Sequence, residues 1–349
     1  MELKKVRTTL VGVGEIGLFR GIITKALPEY KLVCVVEKNP IMARIISKQL
    51  GVPFYTRFKD AVKKEEFDAV ILSTPEHTHY ELAQEILNNR KHIFCEKPLT
   101  TSASQSLDIL KKAKELDIVN QVGYTLRFHP TFAKTKELLD TGIIGNIVYI
   151  KVIGHNSEVI KKETRAEKKD HEKRFGIYGS FSVHHIDLML WFAGHVNKIS
   201  AYSRKVFSSS LNDLVVAILR FNNNAIGNLD IGWSHHGIEK NPVDIFITGT
   251  EGSLHVDLDH IEIFLDSKKN GFQTGMNTIY NSQLGMGVGF ELGGKNLSPE
   301  MEKFAAAILN NEETSPNWKD GYTVDEFVSA LNKSIAENKE ISLPLTEDE

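Results

Sequence analysis

The sequence predicts a two-domain protein: an α/β doubly wound parallel sheet, then an α+β domain with a mostly antiparallel open sheet covered by helices. Two observations lead there. At 349 residues the chain is longer than one ordinary core accommodates. Short apolar runs also alternate with amphipathic, helix-length stretches up to residue 123, after which strand-like runs follow one another with few helices between.

In the first rhythm, Val6–Val11, Leu32–Val36, Ala69–Leu72, His92–Cys95 and Ile118–Gly123 read as strands. Ile16–Leu27, Met42–Leu50, Tyr80–Asn89 and Ser104–Leu116 read as the helices between them. Strands and helices in this alternation build a parallel sheet covered on both faces, which assigns residues 1–123 to the first domain and 124–349 to the second. In the second rhythm the strands are Ile147–Gly154, Ile199–Val206, Leu214–Phe221, Ala225–Trp233, Val243–Thr248, Gly252–Val256 and Ile261–Leu265. Asn222-Asn223-Asn224 and Asp257-Leu258-Asp259-His260 supply turn residues suited to antiparallel neighbours. Helices at Pro130–Leu139 and His184–Phe192 are expected to cover one face, and two more at Pro299–Asn310 and Val324–Glu337 to close the chain. The other face of such a sheet needs a partner, so a homo-oligomer, dimer or tetramer, is expected.

Hydrophobic residues at 41% and charged residues at 25% are the proportions of a globular protein. A formal net charge of -3 supplies no global basic field, which argues against nucleic acid as a partner. No segment reaches the roughly 18 uninterrupted apolar residues of a membrane helix. Nor does a signal-peptide stretch precede Val6, so a cytoplasmic protein without membrane contact is expected. Cys34 and Cys95 each sit in an apolar strand and read as reduced core thiols. Glu158–Arg174 holds seven basic and five acidic residues and reads as a solvated helix or mobile loop; its functional alternative is a lid that places Lys or Arg near an anionic substrate.

Gly12-Val13-Gly14-Glu15-Ile16-Gly17 follows the first strand and opens the first helix. In that context the pattern is a Rossmann dinucleotide turn: Gly12 for the tight bend, Gly14 for close approach of a pyrophosphate, Gly17 for helix–strand packing. Glu15 and Ile16 begin the helix whose free N–H groups face the phosphates. Glu37, about 20 residues after Gly17, ends the second strand where a carboxylate can bind both ribose hydroxyls and repel a 2′-phosphate. NAD is therefore expected over NADP, with Lys38 and Arg44 near enough to tolerate a phosphate.

Further blocks carry a resemblance. Ser73-Thr74-Pro75-Glu76-His77-Thr78-His79 follows the strand at Ala69–Leu72, and Phe94-Cys95-Glu96-Lys97-Pro98 overlaps the end of the next. Gly123-Tyr124-Thr125-Leu126-Arg127-Phe128, His184-His185-Ile186-Asp187-Leu188, Trp191-Phe192-Ala193-Gly194 and Ile341-Ser342-Leu343-Pro344 extend it over nearly the whole chain. Together they resemble the glucose–fructose oxidoreductase and inositol dehydrogenase (Gfo/Idh/MocA) family.

The resemblance implies that Lys97 lies between substrate and nicotinamide, hydrogen-bonds the reacting hydroxyl and favours the developing alkoxide, with Pro98 as a cis-proline directing it. It also implies that Ser73, Thr74, Pro75, His79 and Glu96 line the cofactor, and that Arg127 reaches the same cleft beside His129 at the hinge. His184 matches the family's catalytic histidine, and Asp187, one helical turn on, is expected to orient it or to contact substrate. One departure stands out. Ser180 occupies the position where many members carry an aspartate, and Tyr178 and His185 are the nearby candidates to replace that carboxylate.

No metal is expected, because His235-His236 would point to opposite faces of a strand and have no Cys or H-E-x-x-H partner. No G-x-S-x-G elbow suggests nucleophilic catalysis either. The principal reading is thus an NAD(H)-dependent oxidoreductase moving a hydride between nicotinamide and a sugar, polyol, sugar acid or sugar derivative. A cofactor-binding protein with altered chemistry that senses a sugar metabolite is the alternative.

Overall fold

The computed structural model describes residues 4–157, 182–207, 212–237, 243–285 and 296–346. The chain divides into two compact units, Met1–Thr125 with Gly287–Asp325, and Leu126–Met286 with Glu326–Glu349.

In the first unit, β1 (Val6–Val11), β2 (Tyr30–Val36), β3 (Phe54–Tyr55), β4 (Ala69–Leu72), β5 (His92–Cys95) and β6 (Asn120–Val122) form one sheet. Its order is β3-β2-β1-β4-β5-β6 and every pairing is parallel. The crossovers are α1 (Glu15–Ala26), α2 (Pro40–Leu50), α3 (Phe58–Lys64), α4 (His79–Asn88) and α5 (Ala103–Glu115). All four residues of β4 are buried, as a strand covered on both faces requires. Strand order reverses between β1 and β4, and a doubly wound sheet binds its ligand at the carboxyl ends flanking that reversal. Local signals set the helix ends. The Asn39 side chain accepts from the Ile41 and Met42 N–H groups, Pro40 occupies the first turn of α2, and Gly51 closes it in the left-handed region. β3, two half-buried residues, and the seven-residue α3 are too short to leave a periodic signal, and sequence reading missed both.

The second unit contains α6 (Pro130–Asp140), β7 (Ile147–His155), α7 (Ser182–Ala193), β8 (Val196–Arg204), β9 (Leu214–Phe221) and β10 (Ile226–Gly232). It continues with β11 (Asp244–Gly249), β12 (Gly252–Val256), β13 (His260–Leu265) and β14 (Gly275–Tyr280). With β15 (Ile341–Ser342) these strands order as β14-β13-β12-β11-β7-β10-β9-β8-β15. Only the β7–β10 pairing is parallel among them. Residues alternate between a buried face, against which α6 and α7 pack, and an outer face that exposes Tyr202, Ile218, Ile226, Phe246, Phe264, Met276 and Tyr280. β14 escaped the sequence reading because this edge strand buries none of its residues fully. β10 ends at Gly232, so His235 and His236 lie beyond the strand in which they were expected.

The closing helices correct the predicted domain division. Helix α8 (Leu297–Asn310) places Leu297, Met301, Phe304 and Ala305 in one core with Leu10, Ile23, Tyr30 and Phe94. Tyr30 donates its hydroxyl to the Met301 carbonyl at 2.6 Å. From α9 (Trp318–Glu337), Trp318 donates its indole N–H to the Gln121 carbonyl at 3.2 Å. Residues 296–325 therefore group with the first unit, whereas the sequence reading assigned all of 124–349 to the second. Amphipathic periodicity shows that a helix has an apolar face, not which core receives it. Both cysteines are free and buried, and no helix among the described residues is long and apolar enough to cross a membrane.

Candidate active site

At the end of β1 the chain turns through Gly12 at φ 88°. A Cβ there would lie 2.6 Å from the Ser73 carbonyl oxygen, and one on Gly17 would lie 2.2 Å from the Gly12 carbonyl oxygen. Both glycines are therefore required by packing. A Cβ on Gly14 would meet no described atom within 4 Å, so this glycine leaves space in front of α1. Gly14 caps α1 without a side-chain hydrogen bond, which leaves first-turn amides for an anion. Glu15 is exposed there and Ile16 half-buried.

Across the turn, Glu37 accepts from the Val13 N–H through Oε2 at 3.2 Å and from the Asn39 N–H through Oε1 at 2.9 Å. The carboxylate is thus fixed beside the glycine loop, and each oxygen keeps acceptor capacity for a ribose hydroxyl. Lys38 and Arg44 are exposed nearby in sequence.

The loop after β4 closes the other side of the turn. Ser73 Oγ is buried without a hydrogen-bond partner among the described residues, and the Thr74 methyl crowds Gly12. Pro75 is exposed. His79, expected to line the cofactor, is buried and braces the loop. Its Nε2 lies 2.8 Å from the Thr74 carbonyl oxygen and its Nδ1 2.9 Å from the Pro98 carbonyl oxygen, so the ring joins this loop to the turn after β5.

Glu96 follows β5 and pairs with the Nε of Arg20, whose Nη2 donates to Glu300 at 2.8 Å. Its other oxygen accepts from the Lys97 N–H at 3.3 Å. Arg20 is fully buried on α1, 4.0 Å above the Phe94 ring. Burial opposes its charge, but Glu96 and Glu300 outweigh this and hold the guanidinium above its ordinary value. Sequence reading missed Arg20. The available signal was its place among Gly17, Gly21 and Thr24 on the buried stripe of α1, where an arginine demands anionic partners.

Lys97 is half-buried, and its bond to Pro98 is cis as expected. Burial lowers the Lys97 pKa against the pull of Glu96 and Glu76, which suits an amine meant to exchange a proton.

In the second unit Arg127 and Asp187 are engaged with each other. Arg127 Nε lies 2.9 Å from Asp187 Oδ2 and Nη2 2.6 Å from Oδ1, with the guanidinium 5.2 Å from the Trp191 ring centre. Asp187, expected to orient His184 or to contact substrate, thus pairs with Arg127, which ties Arg127 to α7. His184 lies half-buried in the first turn of α7. His185 is buried against β7, where a Cβ on Gly154 would come within 2.3 Å of its Nε2. His129 is the N-cap residue of α6, and its Nδ1 lies 2.9 Å from Thr131 Oγ1. Tyr178, Ser180 and the charged stretch Glu158–Arg174 lie outside the described residues.

The open space at Gly14, the uncapped α1 terminus, the fixed Glu37 carboxylate and the buried Ser73 hydroxyl fit a dinucleotide. Comparison with known proteins agrees. Residues 6–124 match the oxidoreductase family's NAD-binding Rossmann fold, and residues 136–343 match its C-terminal alpha/beta domain. The NAD(+)-dependent scyllo-inositol 2-dehydrogenase of Bacillus subtilis is 29% identical over 297 residues, 80% of this chain and 84% of that protein. Levoglucosan dehydrogenase of Pseudarthrobacter phenanthrenivorans is 24% identical over 364 residues, 91% of this chain and 90% of that protein. A levoglucosan dehydrogenase structure in complex with NADH shares the fold, with a TM-score of 0.87 at 22% identity, covering 98% of this chain and 100% of that one.

Proposed function

The chain belongs to the Gfo/Idh/MocA oxidoreductase family in both of its domains, with NAD as cofactor, and we propose that its reaction interconverts a CH–OH group and a carbonyl on a sugar, polyol or close derivative. Bound NAD accepts or supplies the hydride. The observation that carries the reading is the pairing, within one unit, of a glycine turn faced by the Glu37 carboxylate with Lys97 at the end of β5. Gly14 admits the pyrophosphate, Glu37 binds the ribose and selects against a 2′-phosphate, and Ser73 and Thr74 border the turn.

Lys97 hydrogen-bonds the substrate oxygen and stabilises negative charge as it develops there, and His184 exchanges its proton. Arg20, Glu96 and His79 act behind Lys97 by holding the residues on either side of it. The inositol and levoglucosan dehydrogenases among the relatives support a polyhydroxylated substrate.

A negatively charged substrate is part of the same reading, supported by Ser180 in place of the family's aspartate and by the lysines and arginines upstream of it. The protein acts in the cytoplasm as a homo-oligomer, a state supported by the apolar residues on the outer face of the second sheet. Reduction of NAD is assayed over a panel of neutral polyols, sugar acids and sugar phosphates, with wild type and Ser180→Asp. Turnover on at least one supports the enzyme, and selective loss of acidic substrates in the variant supports the charge assignment. Binding of NADH without turnover on any of them rejects the enzymatic reading.

A further inference from the structure

On the outer face of the second sheet, among none of the residues assigned to the cofactor or to catalysis, we propose that His255, His260 and Glu262 form a binding site for a divalent transition-metal ion. The strands bring them together. His255 on β12 is the direct cross-strand partner of Glu262 on β13, and His260 begins β13 two residues earlier on the same face. One ligand atom from each of the three lies within 4.8 Å of the other two.

Hydrogen-bond bookkeeping selects a cation. His255 places Nε2 3.2 Å from Asp244 Oδ1 and Nδ1 3.2 Å from Glu262 Oε2. His260 places Nδ1 3.0 Å from Asp257 Oδ1 and Nε2 3.7 Å from Glu262 Oε1. All four ring nitrogens thus face carboxylate oxygens, yet a neutral imidazole has one proton to donate. If His255 donates to Asp244 and His260 donates to Asp257, two nitrogen lone pairs and the Glu262 carboxylate converge with no donor between them.

That arrangement is the one metal centres use: two imidazoles and a carboxylate as ligands, each imidazole held from behind by an aspartate that fixes its tautomer and raises its basicity. The spacing fits, because four-coordinate bonds of about 2.0–2.2 Å place neighbouring ligand atoms about 3.4 Å apart. His255 Nδ1 lies 3.2 Å from Glu262 Oε2 and His260 Nε2 3.7 Å from Oε1, on either side of that distance, and a small turn of the carboxylate would offer one oxygen to an ion between the rings.

Further contacts hold the ligands in place. Phe246 stacks on His255 with centroids 4.3 Å apart and planes 4° from parallel. Asp257 Oδ1 accepts the N–H groups of Asp259 and His260 at 2.7 and 2.8 Å, which fixes the turn entering β13. In the single chain the ligand side chains remain 23 to 40% exposed, which leaves space for a further ligand on the ion. Two imidazoles with one carboxylate favour zinc or nickel over magnesium or calcium. The ion would tie β12 to β13 and, through Asp244, to β11, a structural function separate from the oxidoreductase chemistry.

Calorimetric titration of chelator-treated protein with Zn²⁺, Ni²⁺ and Mg²⁺ tests this, with thermal unfolding as a second readout and NADH binding as the check on folding. Expected are one Zn²⁺ or Ni²⁺ per chain, no Mg²⁺, and a Tm raised by Zn²⁺. His255→Asn and Glu262→Gln should each remove both responses. Asp244→Asn should weaken Zn²⁺ binding about 10- to 100-fold through loss of the brace, and His235→Asn should change nothing. Undiminished zinc binding in His255→Asn would overturn the assignment. So would a wild-type Tm insensitive to Zn²⁺, the outcome if protons alone bridge the cluster.

Discussion

Arg127 grips Asp187 in a two-pronged ion pair from which water is almost wholly excluded, the two side chains being 6% and 1% exposed. Both Nε and Nη2 of the guanidinium reach the carboxylate, at 2.9 and 2.6 Å. The first turns of α7 thereby gain a fixed anchor three residues beyond His184.

Removing one member of such a pair deprives a buried charge of its two-pronged partner. Arg127→Met should destabilise the protein by about 3–5 kcal/mol, whereas Arg127→Met combined with Asp187→Leu should recover much of the loss. Urea unfolding checks this. Equal instability of the single and double variants would show that the unpaired carboxylate is not its source.

The second and third glycines of the turn should fail differently. Gly17→Ala forces a methyl against the Gly12 carbonyl and should cost about 1–3 kcal/mol of stability. At Gly14, φ -60° and open space accommodate alanine, so Gly14→Ala should fold normally while NADH affinity falls about tenfold or more, ~1.4 kcal/mol. Thermal melts and NADH titrations separate the two effects. Unaltered NADH affinity in Gly14→Ala would place the pyrophosphate elsewhere.

Cofactor preference should rest on Glu37. The wild type is expected to bind NADH more tightly than NADPH, and Glu37→Ser to swing toward NADPH because ribose hydrogen bonding and repulsion of the 2′-phosphate are lost together. Fluorescence titration of both nucleotides measures the ratio. A variant that keeps the wild-type preference removes Glu37 from the ribose site.

Lys97→Ala and His184→Ala should each lower kcat by about 10² or more, the usual scale for acid–base groups. NADH affinity should stay within a few-fold, since neither side chain is assigned to the dinucleotide phosphates. Stopped-flow single turnovers separate chemistry from product release. Near-wild-type rates in either variant would end that residue's assignment.

Burial pushes the carboxyl of Asp325 from 3.8 up to about 7, against the opposing pull of hydrogen bonds from Ser106 Oγ and the Thr100 N–H at 2.6 and 3.1 Å. Between those two values the folded protein binds more protons at this site than the unfolded chain does. Stability should therefore fall as pH rises from about 4 to 7, by of the order of 4 kcal/mol in total. Asp325→Asn, which cannot titrate, should remove this slope and be the more stable protein at neutral pH. Unfolding curves across the window check the sign, and parallel pH profiles for wild type and variant would contradict it.

Local chemistry made much of the molecule legible from its residues. β1, β4 and β5 announce themselves as short apolar runs because strands buried on both faces tolerate little else. The glycine turn is readable because its packing admits only glycine at Gly12 and Gly17, and the Glu37 carboxylate beside it because it directly follows the neighbouring strand. Long-range partnership left no such trace. That α8 belongs to the first core, that Arg20 joins Glu96 to Glu300, that Asp187 serves Arg127, and that His255, His260 and Glu262 meet on one sheet face all depend on residues distant in sequence or set side by side by strand pairing. Periodicity records which side of an element is apolar, and a spacing motif records ligands within one turn or loop. Neither encodes which surface that side will meet, because the choice is made by packing energies summed over the whole fold.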